Sequence, residues 1–313
     1  MDKIKIGLFG AGGISSRVAQ GITESEVCRL AAVAARDIGR ARSLAAKFGV
    51  EEYYGDYQQL LESDIEGVYI VTVNSMHFQH IKLCLEHGKH VICEKPMLVD
   101  QKDIDYLYEL ADKNNLLLLE AMKCRYLPTV AKIKSMLADL PYPRELLATF
   151  CRDEPFSKQY DHSYYDPHFG GALKVIGCYV LSWALELFSE PLVEENLQQL
   201  FHHGVDNSCW LYLKNNKGLF MQLGCSVDYD RDNQALITGQ GYQIKIRDFW
   251  KALDIELWLD GKLSETFKTD IGSEFRYQVD YFGQAIKNAD WQQENRRQRD
   301  FLKQIAGYYP TSS

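Results

Sequence analysis

The chain has 313 residues, 46% of them hydrophobic and 25% charged, with a formal net charge of −8. That length predicts about two domains, and the composition excludes a disordered or collagen-like chain. The acidic balance argues against a nucleic-acid partner, and no apolar run approaches the roughly 18 residues of a membrane-spanning helix.

The first 122 residues alternate apolar runs with helical patterns. Ile4–Phe9 reads as a strand ending in Gly10-Ala11-Gly12-Gly13, and residues 14–23 read as a helix. Further strands are predicted at 30–35, 68–73, 90–93 and 116–120, with helices at 38–48, 78–86 and 104–113. This alternation implies βαβ units and a parallel sheet covered on both faces, a Rossmann-type doubly wound domain over 1–122. After Met122 the character changes. A helix is predicted at 127–140 and another at 173–188. Strands follow at 146–152, 209–213, 219–227, 234–239, 242–247 and 255–259, several joined by hairpin-like turns such as Asp260-Gly261-Lys262. Late helices are predicted at 275–288 and 293–306. Residues 123–313 therefore read as an α+β domain with an open, mainly antiparallel sheet.

Eight cysteines show no C-x-x-C spacing, and the N-terminus lacks the apolar stretch of a secretory signal. Free thiols in a cytoplasmic protein are expected.

The Gly10-Ala11-Gly12-Gly13-Ile14-Ser15 turn lies between a strand and a helix. There Gly10 permits the tight turn, Gly12 admits a pyrophosphate, and the helix N-terminus offers unpaired N–H groups. Ala35 stands where an NAD enzyme often carries an acid for the ribose. Arg36 and Arg40 follow, and guanidinium groups suit a 2′-phosphate. NADP is thus favoured over NAD. Asp37 is the contrary signal, as a helix cap or a ribose ligand, and a solvated helix start is the plain alternative for both arginines. Thr72, Asn74 and His77 lie at a strand's C-terminal end, where they are candidates for cofactor contact; helix capping by Asn74 or Ser75 is the alternative.

Lys89-His90-Val91-Ile92-Cys93-Glu94-Lys95-Pro96 carries the catalytic candidate. A lysine at a buried strand end, beside a proline able to hold a cis bond, can donate to a substrate oxygen. Glu94 orients it or serves as an ion-pair partner.

The turn motif, Ala34-Ala35-Arg36-Asp37, the segment ending Glu94-Lys95-Pro96, Glu120-Ala121-Met122 and Gly170-Gly171-Ala172-Leu173 together resemble the Gfo/Idh/MocA oxidoreductases, most nearly the dimeric dihydrodiol dehydrogenase branch. The resemblance implies NAD(P)-dependent hydride transfer on a sugar, polyol or related small molecule, cofactor contacts at Gly10, Gly12, Gly13, Ile14, Glu94 and Lys95, catalysis by Lys95, and a homodimer through the C-terminal sheet. Two departures stand out. The usual Asp after Gly-Gly-Ala-Leu is Val175, leaving Tyr179 four residues on as the acid, with core packing as its alternative. A pocket aromatic of that branch is Lys123. With Arg125, Lys174, His162 and His168 nearby in sequence, a cationic pocket for an anionic substrate is expected, with Lys123, Arg125 and His168 as contacts; side chains pointing to water are the alternative.

The His- and Asp-rich segment 152–169 matches no standard metal-ligand spacing, so no metal is expected. The rival to an enzyme is a non-catalytic NADP-binding sensor on the same fold, favoured only by the absent Asp at position 175.

Overall fold

The computed structural model describes residues 2–153, 162–202, 204–251, 254–269 and 272–309. The chain divides into two compact units, Met1–Lys123 with Gly272–Gly307, and Cys124–Ile271 with Tyr308–Ser313.

In the first unit, β1 (Ile4–Phe9), α1 (Ser15–Glu24), β2 (Cys28–Ala34), α2 (Ile38–Lys47), β3 (Glu52–Tyr54) and α3 (Tyr57–Leu61) form one half. β4 (Gly67–Ile70), α4 (His77–Glu86), β5 (His90–Glu94), α5 (Gln101–Lys113) and β6 (Leu118–Ala121) form the other. The six strands run in the order β3-β2-β1-β4-β5-β6, and every paired neighbour is parallel. β4 and β6 are buried along their whole length; β4 reads as an unbroken apolar run, and β6 is apolar except for Glu120. The strand order reverses direction between β1 and β4, where open α/β sheets bind ligands beyond the strand C-termini. Local chemistry sets the helix starts: Asp37 accepts from the Gly39 and Arg40 amides, and Asp56 from Gln58. α5 buries Ile104, Leu107, Tyr108 and Ala111, one face at helical spacing.

The second unit runs through α6 (Pro128–Ala138), β7 (Glu145–Cys151), α7 (His162–Tyr165), a π-helical turn at Leu173–Gly177 and α8 (Cys178–Leu187). β8 (Leu192–His202), β9 (Val205–Asn215), β10 (Phe220–Ser226), β11 (Gln234–Gly239), β12 (Tyr242–Arg247), β13 (Asp254–Leu259) and β14 (Lys262–Lys268) follow. The eight strands order as β14-β13-β12-β11-β7-β10-β9-β8, antiparallel except for the parallel β7–β10 pair. The helix expected at 173–188 is therefore a π turn followed by an α-helix. Asp260 and Gly261 both have positive φ, the geometry of a tight hairpin turn between β13 and β14.

The expected second domain of 123–313 needs correction at its C-terminal end. α9 (Arg276–Asn288) and α10 (Trp291–Ala306) belong to the first unit. The Phe282 ring packs where a side chain at Gly67 would stand. Asn295 mimics a strand neighbour: its Oδ1 accepts from Leu118 N at 3.0 Å, and its Nδ2 donates to Leu116 O at 2.8 Å. Asp105 on α5 pairs with Arg299 and Lys303. No helix among the described residues is long and apolar enough to cross a membrane.

Candidate active site

Gly10, Gly12, Arg36, Arg40 and Thr72 line one cleft of about 580 Å³ at the β1/β4 switch point, together with Tyr57, His80 and Met76. The two glycines differ in kind. Gly10 has φ +111°, and a Cβ there would meet Val71 O at 3.0 Å, so the fold itself demands glycine. At Gly12 and Gly13 a Cβ would meet nothing within 4 Å, and neither has a left-handed backbone. Nothing inside the protein requires glycine at these two positions, and the space beside them is open. Ser15, in the third glycine's place, is fully buried, and its Oγ accepts from Gly12 N at 2.8 Å. α1 has Ile14 at its N-cap and no side-chain cap; the Ser15 and Arg17 amides donate to Gly12 O and Ile14 O, and the positive end of the helix faces the turn. This cradle fits a dinucleotide pyrophosphate.

Asp37 does the work of a cap: its Oδ1 holds the amides of Gly39 and Arg40. Arg36 is exposed, and Arg40 is exposed with Asp37 at 3.7 Å. Tyr57 and His80 escaped the sequence reading. Tyr57 stacks on Phe9 at 4.6 Å, and His80 meets both rings edge-on. Burial, helped by His77 and Arg36, pushes His80 down to about 4, so it lines the cleft as a neutral ring bonded through Nδ1 to Thr72 Oγ1. Asn74 opens a 3₁₀ turn, and neither that turn nor α4 has a side-chain cap. Gly13, Ile14, Asn74, Glu94 and Lys95 lie outside the lining of this cleft.

His77, expected to touch the cofactor, is fully buried. Its Nδ1 lies 3.0 Å from Pro96 O and 3.3 Å from Met97 O, and its Nε2 lies 3.1 Å from Thr72 O. Its ring therefore faces the backbone of the lysine turn, which corrects that expectation. Lys95 follows β5 directly, half-buried, and its bond to Pro96 is cis. Glu120 of β6, also buried, accepts from Met97 N at 3.0 Å. Glu94 is anchored from below: Gln278 donates to the Tyr69 hydroxyl at 2.6 Å, which donates to Glu94 at 2.8 Å. Burial raises the Glu94 carboxyl above its ordinary range, against the opposing pull of Tyr69, Lys95 and Lys123.

In the second unit, Tyr179 sits in the first turn of α8, half-buried, with its ring 5.4 Å from Phe150 in edge contact. The segment leading to it is held by a residue the sequence did not flag. Asp206 at the start of β9 is buried, and its Oδ2 accepts from Leu173 N at 2.8 Å. Burial raises the Asp206 carboxyl to about 6 despite that bond and Lys174. His168 is half-buried against Phe169 at 4.5 Å, and its carbonyl accepts from Lys174 Nζ at 2.6 Å. Tyr160 and Asp161 lie outside the described residues, as does the side chain of His162.

The expected cationic pocket is replaced by ion pairs. Lys123 is buried and bonds Glu274 at 2.9 Å, and Arg17 of α1 reaches the same carboxylate. Arg125 is buried against Glu186 at 3.0 Å, with Lys134 on the other oxygen. Burial lowers the Lys123 pKa against the attraction of Glu274. Burial works to raise Glu274, but Lys123 and Arg17 outweigh it and hold the carboxyl low. Lys123 and Arg125 are thus each paired with a carboxylate, while buried Lys174 donates to the His168 carbonyl.

A family model described as an oxidoreductase family with an NAD-binding Rossmann fold, GFO_IDH_MocA, matches residues 4–121. A scyllo-inositol 2-dehydrogenase (NADP(+)) from Bacillus subtilis is 27% identical over 296 residues, covering 91% of this chain and 88% of its own. A trans-1,2-dihydrobenzene-1,2-diol dehydrogenase from Sus scrofa is 29% identical over 287 residues, 88% of this chain and 83% of its own. Among solved structures, a 3-ketoreductase from Actinomadura kijaniata, crystallised with NADP and TDP-benzene, superposes with a TM-score of 0.83 at 23% identity, covering 99% of this chain and 100% of that one. That last likeness concerns the fold.

Proposed function

Because this chain belongs to the Gfo/Idh/MocA oxidoreductase family, whose NAD-binding Rossmann domain it carries at residues 4–121, we propose that it is an NADP-preferring dehydrogenase or reductase acting on a CH–OH group of an uncharged polyol, sugar or related diol. One observation carries the cofactor preference. Asp37 lines the same cleft, but its Oδ1 is tied to the α2 amides and its Oδ2 lies 3.7 Å from Arg40, so two guanidinium groups, Arg36 and Arg40, are there to meet a 2′-phosphate. The relatives named for scyllo-inositol and dihydrodiol support the substrate class. So does the pairing of Lys123 and Arg125, which leaves neither cation uncompensated for a carboxylate or phosphate.

Bound in the cleft, the nicotinamide group supplies the hydride donor or acceptor. The chain's own residues hold the substrate oxygen and move its proton. Lys95 donates a hydrogen bond to that oxygen through Nζ, and Tyr179 gives or takes the proton at its phenol oxygen. Glu94, Tyr69 and Gln278 fix the strand end from which Lys95 projects. His168 borders the substrate. The eight cysteines, all free and buried, fit a reducing cytoplasm. A homodimer is assigned to the sheet face bearing Trp210, Tyr212 and Phe220, whose rings stack along it, Phe220 being 38% exposed.

The test is NADP⁺ reduction with inositols and cyclic diols, and NADPH oxidation with the matching ketones, run beside Tyr179→Phe. Turnover that falls at least a hundred-fold in the variant is the expected result. An absence of turnover with every polyol, with NADPH still bound, would overturn the enzyme reading in favour of a sensor.

A further inference from the structure

His77 is a buried polar side chain that the proposed chemistry leaves unused, and its surroundings give it a task. It opens α4 and reaches three carbonyl oxygens on two separate segments. On one side is Thr72, whose residue lines the nucleotide cleft. On the other are Pro96 and Met97, the two residues after Lys95. Burial, with Lys95 adding to it, pushes the His77 imidazole below its ordinary range, so the ring is neutral; its one N–H, placed on Nδ1, tethers the Pro96 turn to the start of α4, and Nε2 only packs against Thr72 O. Bulk solvent does not reach these contacts, because the residue is 0% exposed. The lysine turn has a second tether, Met97 N to Glu120, but that bond reaches β6 and not the cleft. The titratable groups acting on the ring are Lys95, from the clamped turn, and His80, one turn along the same helix.

We propose that His77 is a positioning residue that clamps the Lys95–Pro96 turn to the start of α4, beside Thr72 of the nucleotide cleft, so that lysine and cofactor keep one register. The inference rests on the role given to Lys95 above, and it concerns a residue that touches neither substrate nor cofactor. Without the clamp, Lys95 loses its fixed direction while the phosphate cradle, built on β1 and α1, is untouched.

The experiment uses the full chain with His77→Gln, which keeps an N–H donor group, and His77→Phe, which keeps an aromatic ring and no donor. Lysine amines are reductively ¹³C-methylated, and the Lys95 signal is identified by its loss in Lys95→Arg. NADPH affinity is read separately by fluorescence. Both variants are expected to bind NADPH within about three-fold of the parent. The Lys95 signal is expected to shift or broaden, more in His77→Phe than in His77→Gln, and kcat to fall with little change in the cofactor KM. A Lys95 signal identical to the parent's in His77→Gln and His77→Phe would overturn the proposal; should His77→Phe not fold, the same criterion applies to His77→Gln alone. Loss of NADPH binding by the parent itself would sink the cofactor reading instead, and the lysine signal needs no cofactor, so the two failures are told apart.

Discussion

The Asp206 carboxylate occupies the space a side chain at residue 171 would need: a Cβ on Gly171 would stand 2.0 Å from Asp206 Oδ1. Gly171, at φ +96°, thus admits a buried acid that holds the Leu173 amide ahead of the Tyr179 helix. The Asp206 pKa rises from 3.8 to about 6 on folding, so the folded state binds its proton more tightly than the unfolded chain does. Stability from this group is therefore greatest below about pH 4 and is lost as pH climbs through about 6. Asp206→Asn keeps an acceptor for Leu173 N and removes the buried charge. It is expected to melt higher than the parent at pH 7, by an amount worth a few kcal/mol at most (about 1.4 per pKa unit), with the gap closing by pH 4. Chemical denaturation at the two pH values checks this; a variant less stable at pH 7 would show that the ionised form is the needed one.

Lys123 and Glu274 make the opposite case, a buried pair in which removing one partner is costly. Glu274→Gln leaves the Lys123 ammonium buried with its main compensation gone, and a loss of about 3 kcal/mol is expected. The Lys123 pKa, already depressed by burial, would fall further. The folded state would then release the proton more readily than the unfolded chain, so the variant should regain stability as pH rises from 7 to 10. Lys123→Met combined with Glu274→Gln should recover most of the loss. A double-mutant cycle at pH 7 measures the coupling, and additivity of the two single changes would refute the pairing.

These two residues also show where the sequence stopped being readable. Lys123 and Glu274 are 151 positions apart, so Lys123 reads as an open cation until the chain returns through α9. The same separation hid Gln278 beneath Tyr69 and Glu94. Strands with both faces covered were legible because burial leaves them apolar, wholly in β4 and with Lys5 as the one charged residue in β1. β14 was not, since six of its seven residues are exposed and its pattern is that of a polar edge. The phosphate turn was legible at once, because glycine spacing between a strand and a helix is a local signal. His77 was placed at the right strand end and given the wrong neighbour: periodicity locates a residue along α4 but does not say that its ring turns inward to Pro96.

The contrast between Gly10 and Gly12 separates folding from binding. Gly10→Ala forces a Cβ against the Val71 carbonyl at positive φ and is expected to cost about 1–3 kcal/mol of stability. Gly12→Ala meets only open space, so the apo protein should unfold within about 0.5 kcal/mol of the parent. Its new methyl, however, stands in the cradle, and NADPH affinity should fall at least ten-fold. Parallel melting curves and NADPH titrations distinguish the two. Unchanged NADPH binding in Gly12→Ala would place the pyrophosphate elsewhere.

At the other end of the cleft, the two arginines differ in their freedom to meet a 2′-phosphate. Arg40 has Asp37 at 3.7 Å, while that carboxylate is itself tied to the α2 amides. Arg36 follows Ala35 directly and lines the same cleft as Tyr57 and His80. A charge-assisted bond from a guanidinium to phosphate is worth roughly 1.5–3 kcal/mol, so Arg36→Ala should weaken NADPH binding by about ten- to a hundred-fold. Arg40→Ala should weaken it less, because its charge is already partly met by Asp37. NADH, which lacks the phosphate, should lose no more than about three-fold in either variant. The ratio of the two dissociation constants, measured at fixed ionic strength because such contacts are screened by salt, is the quantity to follow. A ratio unmoved by Arg36→Ala would assign the ribose end to Asp37 and turn the preference toward NAD.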